Sequence, residues 1–349
     1  MQALICDAFA PIEQLRNGEL PEPTPGPGEV LIRVEAAGVN FYDTLIVQGQ
    51  YQVKPALPFS PGGEVAGTVV AVGEPVSAVV GAEAGDSAGD PVLPTFSVGD
   101  RVCAFTSYGG FAQLCVAKSS QTWALPDPVT MDSAAAGLVA YGTAWFALHD
   151  RARLRAGETV VVLGAAGGVG LAAVQIAHAA GARVIAAAGS AERLALCHEA
   201  GATAGIDYTQ EDLRDAIRRQ TGGRGADVVI DVVGGAYTEA ALRAMAWRGR
   251  LQVIGFAAGE IPRLPANLLL LKGCEAAGVF WDEFLRREPE AAATQVAAIL
   301  RGFGAGTLRP RITEVLPLER ARDALFALAR RKAPGKLVVT PATDRCAAS

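Results

Sequence analysis

The chain has 349 residues, half of them apolar and 19% charged, with 40 glycines and a formal net charge of −5. That is enough chain for one large domain or two ordinary ones with sizeable cores, and the composition excludes a disordered or fibrous protein. Lysines and arginines are scattered rather than gathered into a stripe, so no nucleic-acid partner is expected.

The opening "MQALICDAFAPIEQ" has no basic region followed by a long apolar one, and no signal peptide is expected. The first third reads as β-rich. "ALIC", "EVLIRVEAAG", "EVAGTVVAVG", "DRVCAF" and "FAQLCVA" are short, β-branched or alternating, and bounded by turn residues. "PEPTPGPGE" is a loop, because its proline density forbids helix. The small, acidic, proline-broken stretch at 78–97 reads as a solvated surface loop. From about Met131 the pattern changes to alternating helix and strand. "MDSAAAGLVAYGTAWFALH" predicts a helix. Then follow the strand "TVVVL", a helix from about Gly168, "RVIAAA", a helix from about Ala191, "AGI", the charged helix "EDLRDAIRRQ", "ADVVIDVV", a helix from about Tyr237, and "GRLQVIGF". Strands that are apolar throughout and separated by amphipathic helices predict a parallel sheet covered on both faces. Beyond "PANLLLLKGCEAAGVFW", expected to be a short helix and one more strand, two helices are predicted at about 289–303 and 318–332, then a closing strand "GKLVVT".

The longest uncharged stretch, Thr159 to Ala182, is long enough to span a bilayer, but glycines cluster at its centre between a β-branched run and helix formers. Strand, turn and helix fit it better, and no membrane association is expected. The cysteines at 6, 103, 115, 197, 274 and 346 form no CxxC pair, and no histidine lies at ligand spacing from a cysteine pair. Free thiols in a reducing, cytoplasmic compartment are expected, with no zinc.

The uncharged stretch contains "GAAGGVG", residues 164–170. Read from Ala165 it is A-x-G-x-x-G, a glycine fingerprint whose first glycine is alanine. Backbone amides at the positive end of a helix can approach a pyrophosphate only where no Cβ intervenes. Ala166, Gly167, Gly168, Val169 and Gly170 are therefore the candidate phosphate cradle. NAD-preferring units end the second strand in an acid that holds the ribose hydroxyls. Here that strand ends at Ala188, and Ser190 and Arg193 are placed to meet a 2′-phosphate, which points to NADPH. Ser190 also suits a helix cap, and Arg193 a solvated surface position.

"VEAAGVNFYDTLIVQGQY", "LPFSPGGEVAGTVVAVG", "VGDRV", "YGTAW", "LGAAGGVGLAAVQIA" and "PGKLVV" together resemble the medium-chain dehydrogenase/reductase superfamily, and within it the zinc-independent, zeta-crystallin-like quinone oxidoreductases. The resemblance covers nearly the whole chain. It implies an α/β protein with two domains: a GroES-like β-rich catalytic domain from 1–126 and 282–349, and a Rossmann cofactor domain from 127–281. Zinc-bearing members carry a cysteine in the segment matching "GVNFYD" and a histidine before the glutamate of "GGEVAG". This chain has no cysteine beside Asn40 and has Gly63 at the histidine position, and the four-cysteine structural lobe is missing. No metal site is expected.

Without a metal, hydride delivery needs an acceptor that is already electrophilic, such as a small quinone or enone. The resemblance places Asn40 near the nicotinamide and Tyr51 in the substrate cleft, and Thr143 can hydrogen-bond near the nicotinamide. Tyr51 is otherwise a loop anchor and Thr143 a helix-packing residue. Further cofactor contacts implied by the resemblance are Tyr208 near the 2′-phosphate, then Gly234, Gly255, Phe256 and Phe280. Lys336 either faces the cofactor or flanks a sheet edge. The strand at 274–280 is an edge strand in relatives and pairs across a dimer, so a homodimer is expected. The competing readings are an enoyl-thioester or enal reductase, and an NADPH-binding protein with a structural or RNA-binding role.

Overall fold

The computed structural model describes residues 1–75 and 94–341, so most of the acidic stretch at 78–97, and Cys346, lie outside the described residues. By their contacts the residues separate into two units.

The first unit comprises Met1–Leu138, Glu314–Arg330 and the chain from Leu337. Strands β1 (Gln2–Ile5) and β2 (Arg16–Glu19) form an antiparallel pair. Next come β3 (Glu29–Gly38), helix α1 (Phe41–Ile46), β4 (Glu64–Val72), β5 (Arg101–Phe105), β6 (Leu114–Lys118), β7 (Thr122–Ala124) and the start of α2 (Met131–Trp145). The alternation of "EVLIRVEAAG" gives β3 one apolar face, on which Val30, Ile32, Val34 and Ala36 are fully buried. That strand is the hub of a seven-stranded sheet, pairing antiparallel with β4 and β6.

The second unit comprises Val139–Thr313 and Arg331–Lys336. It runs through β8 (Thr159–Leu163), α3 (Gly168–Ala179), β9 (Arg183–Ala188), α4 (Ala191–Glu199), β10 (Ala204–Asp207), α5 (Leu213–Gln220), β11 (Ala226–Asp231), α6 (Gly235–Arg243), β12 (Met245–Val253), α7 (Ala266–Lys272), β13 (Glu275–Gly278), α8 (Trp281–Arg287) and α9 (Pro289–Gly304). The strands form a parallel six-stranded sheet in the order β10-β9-β8-β11-β12-β13. "TVVVL" is apolar because β8 is central and all five of its residues are buried. The chain runs outward from β8 to β9 on one side and returns to β11 on the other. The carboxyl end of β8 is therefore a topological switch point, where open α/β sheets bind ligands. The uncharged stretch from Thr159 is thus β8, its turn and α3, and among the described residues no helix is long and apolar enough to cross a membrane.

The chain closes with β14 (Ile312–Pro317), α10 (Ala321–Ala329) and β15 (Lys336–Thr340), the two strands joining the antiparallel sheet beside β3.

Division by contacts differs from the expected 127–281 cofactor domain, because α8 and α9 group with the parallel sheet. The Trp281 indole donates to Gln295 (3.1 Å), and the Gln295 amide donates to the Gly142 carbonyl (2.6 Å). Phe146 stacks on Phe284 at 4.3 Å. The expected single helix from Met131 also divides, since α2 passes into a π turn at Phe146–Arg151.

Candidate active site

The glycine turn is shaped by two close approaches. A Cβ on Gly170 would stand 2.3 Å from the Gly164 carbonyl oxygen, and one on Gly168 would stand 2.8 Å from Cδ of Lys336. Only hydrogen fits at Gly170, because the first turn of α3 lies directly on the end of β8. Gly167 caps α3 in an extended conformation without a side-chain acceptor, so the first-turn amides remain available to an anion. The turn is fixed from behind: Gly335 N–H donates to the Ala166 carbonyl (2.9 Å), and Gly167 bridges Gly335. This brings Lys336, only 5% exposed, against Gly168, on the cradle rather than at a distant sheet edge. Val169 is half-buried in the first helical turn.

At the end of β9, Ser190 caps α4, accepting weakly from Arg193 N–H (3.4 Å). The Ser190 hydroxyl also serves Glu192, and that bond holds the Glu192 carboxyl below the usual carboxylate range. Tyr208 lies over Gly189, where a Cβ would be 3.6 Å from its hydroxyl oxygen, and contacts Tyr237 at 4.7 Å. Burial raises the Tyr208 phenol and Tyr237 adds to that, while Arg193 and Arg331 oppose it. Arg193 donates to the Arg331 main-chain carbonyl, and the Arg331 guanidinium donates to the Ala257 carbonyl. Two guanidinium groups and the carboxylate of Asp207, in register with Ala188 on β10, therefore lie near the Tyr208 phenol, while Ala188 itself supplies no carboxylate. Arg331 escapes sequence reasoning, because in "RRKAPGK" it looks like any solvated charge before a strand.

Gly234, with φ at +76°, and Phe256 are brought together, a Cβ on the glycine falling 3.0 Å from the Phe256 ring. The turn carrying Gly234 hangs on a fully buried carboxylate that the sequence did not advertise. Asp231 accepts from the Val233 and Gly234 amides, both at 2.9 Å, and from the Thr238 hydroxyl (2.5 Å). Gly255 N–H donates to the Asp231 carbonyl (3.3 Å). Phe280 caps α8 and is 45% exposed. Thr143 is buried on α2.

In the first unit Asn40 caps α1. Its backbone N–H donates to Asp43 (2.7 Å), and its side-chain nitrogen donates to Glu64 (2.8 Å). Glu64, the glutamate of "GGEVAG", is fully buried and fixes the amide, while the Asn40 side chain also takes part in a capping box with Asp43. Tyr51 stacks on Tyr42 with centroids 5.4 Å apart, and Phe105 meets Tyr42 edge-on at 6.5 Å. A Cβ on Gly63 would stand 2.0 Å from the Tyr42 hydroxyl oxygen, so that phenol occupies the space a side chain at 63 would need. Among the described residues no three of His, Cys, Asp and Glu cluster as a metal site. Burial pushes the Cys103, Cys115 and Cys197 thiols up to about 12 and Cys6 up to about 11, so none offers a thiolate nucleophile near neutrality.

The family described as an alcohol dehydrogenase GroES-like domain matches residues 26–127, and that described as a zinc-binding dehydrogenase matches 168–298. Rat quinone oxidoreductase-like protein 2 is 38% identical over 316 residues, covering 90% of this chain and 85% of its own length. The chain belongs to the quinone oxidoreductase family of the medium-chain dehydrogenase/reductase superfamily. Its fold is that family's, a GroES-like domain with a parallel-sheet Rossmann domain. The mycobacterial protein Rv1454c complexed with NADPH is similar, at 33% identity and a TM-score of 0.87, covering 98% of this chain and 100% of that one. Escherichia coli quinone oxidoreductase complexed with NADPH matches at 26% and 0.87 over the same shares.

Proposed function

We propose that this chain is an NADPH-dependent reductase of quinones or conjugated enones that works without a metal ion. The observation that carries the reading is that Arg193 and Arg331 lie near the Tyr208 phenol beside Ala188, the last residue of β9, which itself supplies no carboxylate. The residues fit the cofactor: the glycine turn presents first-turn amides of α3 without a side-chain cap, a Cβ at Gly168 or Gly170 would intrude, and the cationic pair lies one strand end away. When bound, NADPH supplies a hydride. The chain's residues supply the rest. Amides of Ala166, Gly168, Val169 and Gly170 hold the pyrophosphate, with Lys336 behind them. Arg193, Arg331 and Tyr208 hold the 2′-phosphate, and the loops carrying Gly234, Gly255, Phe256 and Phe280 line the nicotinamide half.

A quinone or enone spreads developing charge onto its oxygen, so orientation and one or two donors suffice. On this reading Asn40, oriented by Glu64, and the Tyr51 phenol provide those donors, with Thr143 beside the nicotinamide. Enals and enoyl thioesters share the hydride step and are separated by the acceptor screen. An RNA-binding role is disfavoured by the net charge of −5. Among the described residues β13 is an edge strand of its sheet, with exposed Leu270 and Leu271 on the preceding α7, which supports a homodimer through that edge. The five described cysteines are free and buried, in keeping with a cytoplasmic protein. The test is NADPH oxidation over quinones, enones, enals and enoyl thioesters, with and without chelator, beside elemental analysis. Turnover of a quinone or enone that survives chelation is expected. Near one zinc per chain, with activity lost on its removal, would overturn the metal-free reading.

A further inference from the structure

The phosphate cradle stands at the carboxyl ends of the parallel strands. At the opposite ends, where β11 and β12 begin, the same unit holds a cavity of about 220 Å³. Three helices finish around it: α5 brings Arg218, α6 brings Arg243 and α7 brings Lys272, while Arg224, Gly223 and Trp247 complete its wall. A basic residue in the last turn of a helix is ordinary, because it meets the negative end of the helix. The charge balance where these three ends meet is not. Four cations line the cavity, and among the described residues no carboxylate does. Two of the four are neutralised from outside it: Arg224 pairs with Asp227 at 2.8 Å, and Arg243 with Glu239 one turn back. Arg218 has no carboxylate partner among the described residues, and Arg214, one turn earlier on α5, has only Asp215 at 3.9 Å. Lys272 donates to the Met245 carbonyl (3.0 Å). Burial holds its ammonium below the ordinary lysine pKa, and the Arg218 and Arg214 charges lower it further. Two positive charges thus stand together without a counter-charge, a repulsion that a bound anion would relieve.

We propose that this cavity is a second ligand site, for a phosphate monoester that carries a planar ring, a nucleoside monophosphate being the simplest. Arg218 and Lys272 meet the phosphate, and Trp247 takes the ring. A phosphate monoester carries about −1.5 to −2 charges near neutrality and three acceptor oxygens, which matches two unneutralised cations with N–H groups to give. Side chains must do this, because the amides of Gly223, Arg224 and Gly225 are already bonded to the Arg218 carbonyl, the Thr221 carbonyl and the Thr221 hydroxyl. Space beside that loop is open, since a Cβ on Gly223 would meet no atom within 4 Å. Trp247 is 71% exposed, with only the benzo ring against Gly273, and an exposed indole stacks on any base. Gly225, before β11, lines this cavity, and Asp231, at the far end of β11, carries the Gly234 turn. The length of that strand, roughly 20 Å, separates the two sites. The proposal stands apart from the reductase reading and uses no step of it.

The probe is adenosine 5′-monophosphate, titrated calorimetrically into the full chain as purified, in excess NADP+ to keep the nucleotide from the cofactor cradle. Inorganic phosphate and adenosine are the controls. Saturable binding is expected, tighter for the nucleotide than for either control and weaker as salt rises. Arg218→Ser and Lys272→Gln should each weaken it about 10- to 150-fold, the range for one lost charge-assisted hydrogen bond. Trp247→Ala should weaken the nucleotide about 5-fold or more and leave inorganic phosphate unchanged. Arg218 and Trp247 are both exposed, so these two variants should keep the wild-type Tm. The Arg193→Ala, Arg331→Ala double variant should bind the nucleotide as wild type does. No saturable binding, a nucleotide held no tighter than inorganic phosphate, or an affinity unchanged in Arg218→Ser would overturn the proposal. Binding lost in the double variant instead would put the nucleotide in the cofactor cradle and overturn it as well.

Discussion

Removing Arg193 tests the cofactor assignment at its most specific point. The guanidinium spends one donor on the Arg331 carbonyl, which leaves most of its five N–H groups for a phosphate. A charge-assisted hydrogen bond contributes about 1.5–3 kcal/mol, roughly 10- to 150-fold in affinity. Wild type should therefore prefer NADPH over NADH by at least about tenfold. The structure adds Arg331 as a second cation beside the Tyr208 phenol, so Arg193→Ala alone should remove only part of that preference. Arg193→Ala with Arg331→Ala should remove nearly all of it. NADH affinity should hardly change in any variant, because a bare ribose has no use for either guanidinium. Since Arg193 is half-buried and Arg331 exposed, the preference should also shrink as salt rises. Titrating both cofactors against wild type, both single variants and the double variant gives the couplings directly. If the double variant keeps the full preference, the 2′-phosphate is held elsewhere and the assignment fails.

Gly170→Ala should abolish detectable NADPH binding or destabilise the fold outright, since the new Cβ would lie 2.3 Å from a backbone oxygen; a variant with normal Tm and normal Kd would refute the close approach. Tyr51→Phe should lower kcat/KM for a weakly electrophilic enone by up to about 3 kcal/mol of barrier and for a reactive quinone by much less, whereas no loss with either would remove the phenol from the donor set. Glu158 and Arg250 form a bidentate pair at 2.8 Å, and that bond holds the Glu158 carboxyl below its usual range. A lowered folded-state pKa stabilises above the ordinary carboxylate pKa of about 4.3 and loses that contribution as pH falls through the folded value. Glu158→Gln should therefore cost about 1 kcal/mol above pH 5, a cost that fades on acidification; a pH-independent deficit would mean that the ionised carboxylate contributes nothing.

The parallel sheet and its glycine turn were legible because buried strands and amphipathic helices have periods that a sequence displays. β2, "RNGE", was not, since it is polar and mostly exposed and exists only by pairing with β1. The grouping of α8 and α9 with the parallel sheet by contacts was not legible, because the Gln295–Gly142 bond spans 153 positions and leaves no local trace. The candidate site divides in the same way. Cradle glycines announce themselves by spacing, while Asp231, Glu64, Tyr42 and Arg331 act through contacts with distant residues. Only Glu64, a lone acid opening an apolar strand, gave a signal that could have been read.

The most direct measurement of the central claim is steady-state oxidation of NADPH and NADH by the purified protein with a naphthoquinone, in the presence of chelator. The account predicts turnover that survives chelation and is faster with NADPH at low cofactor concentration, with the advantage lost in the Arg193→Ala, Arg331→Ala double variant. Turnover that requires added zinc, or that proceeds equally well with either cofactor, would contradict it.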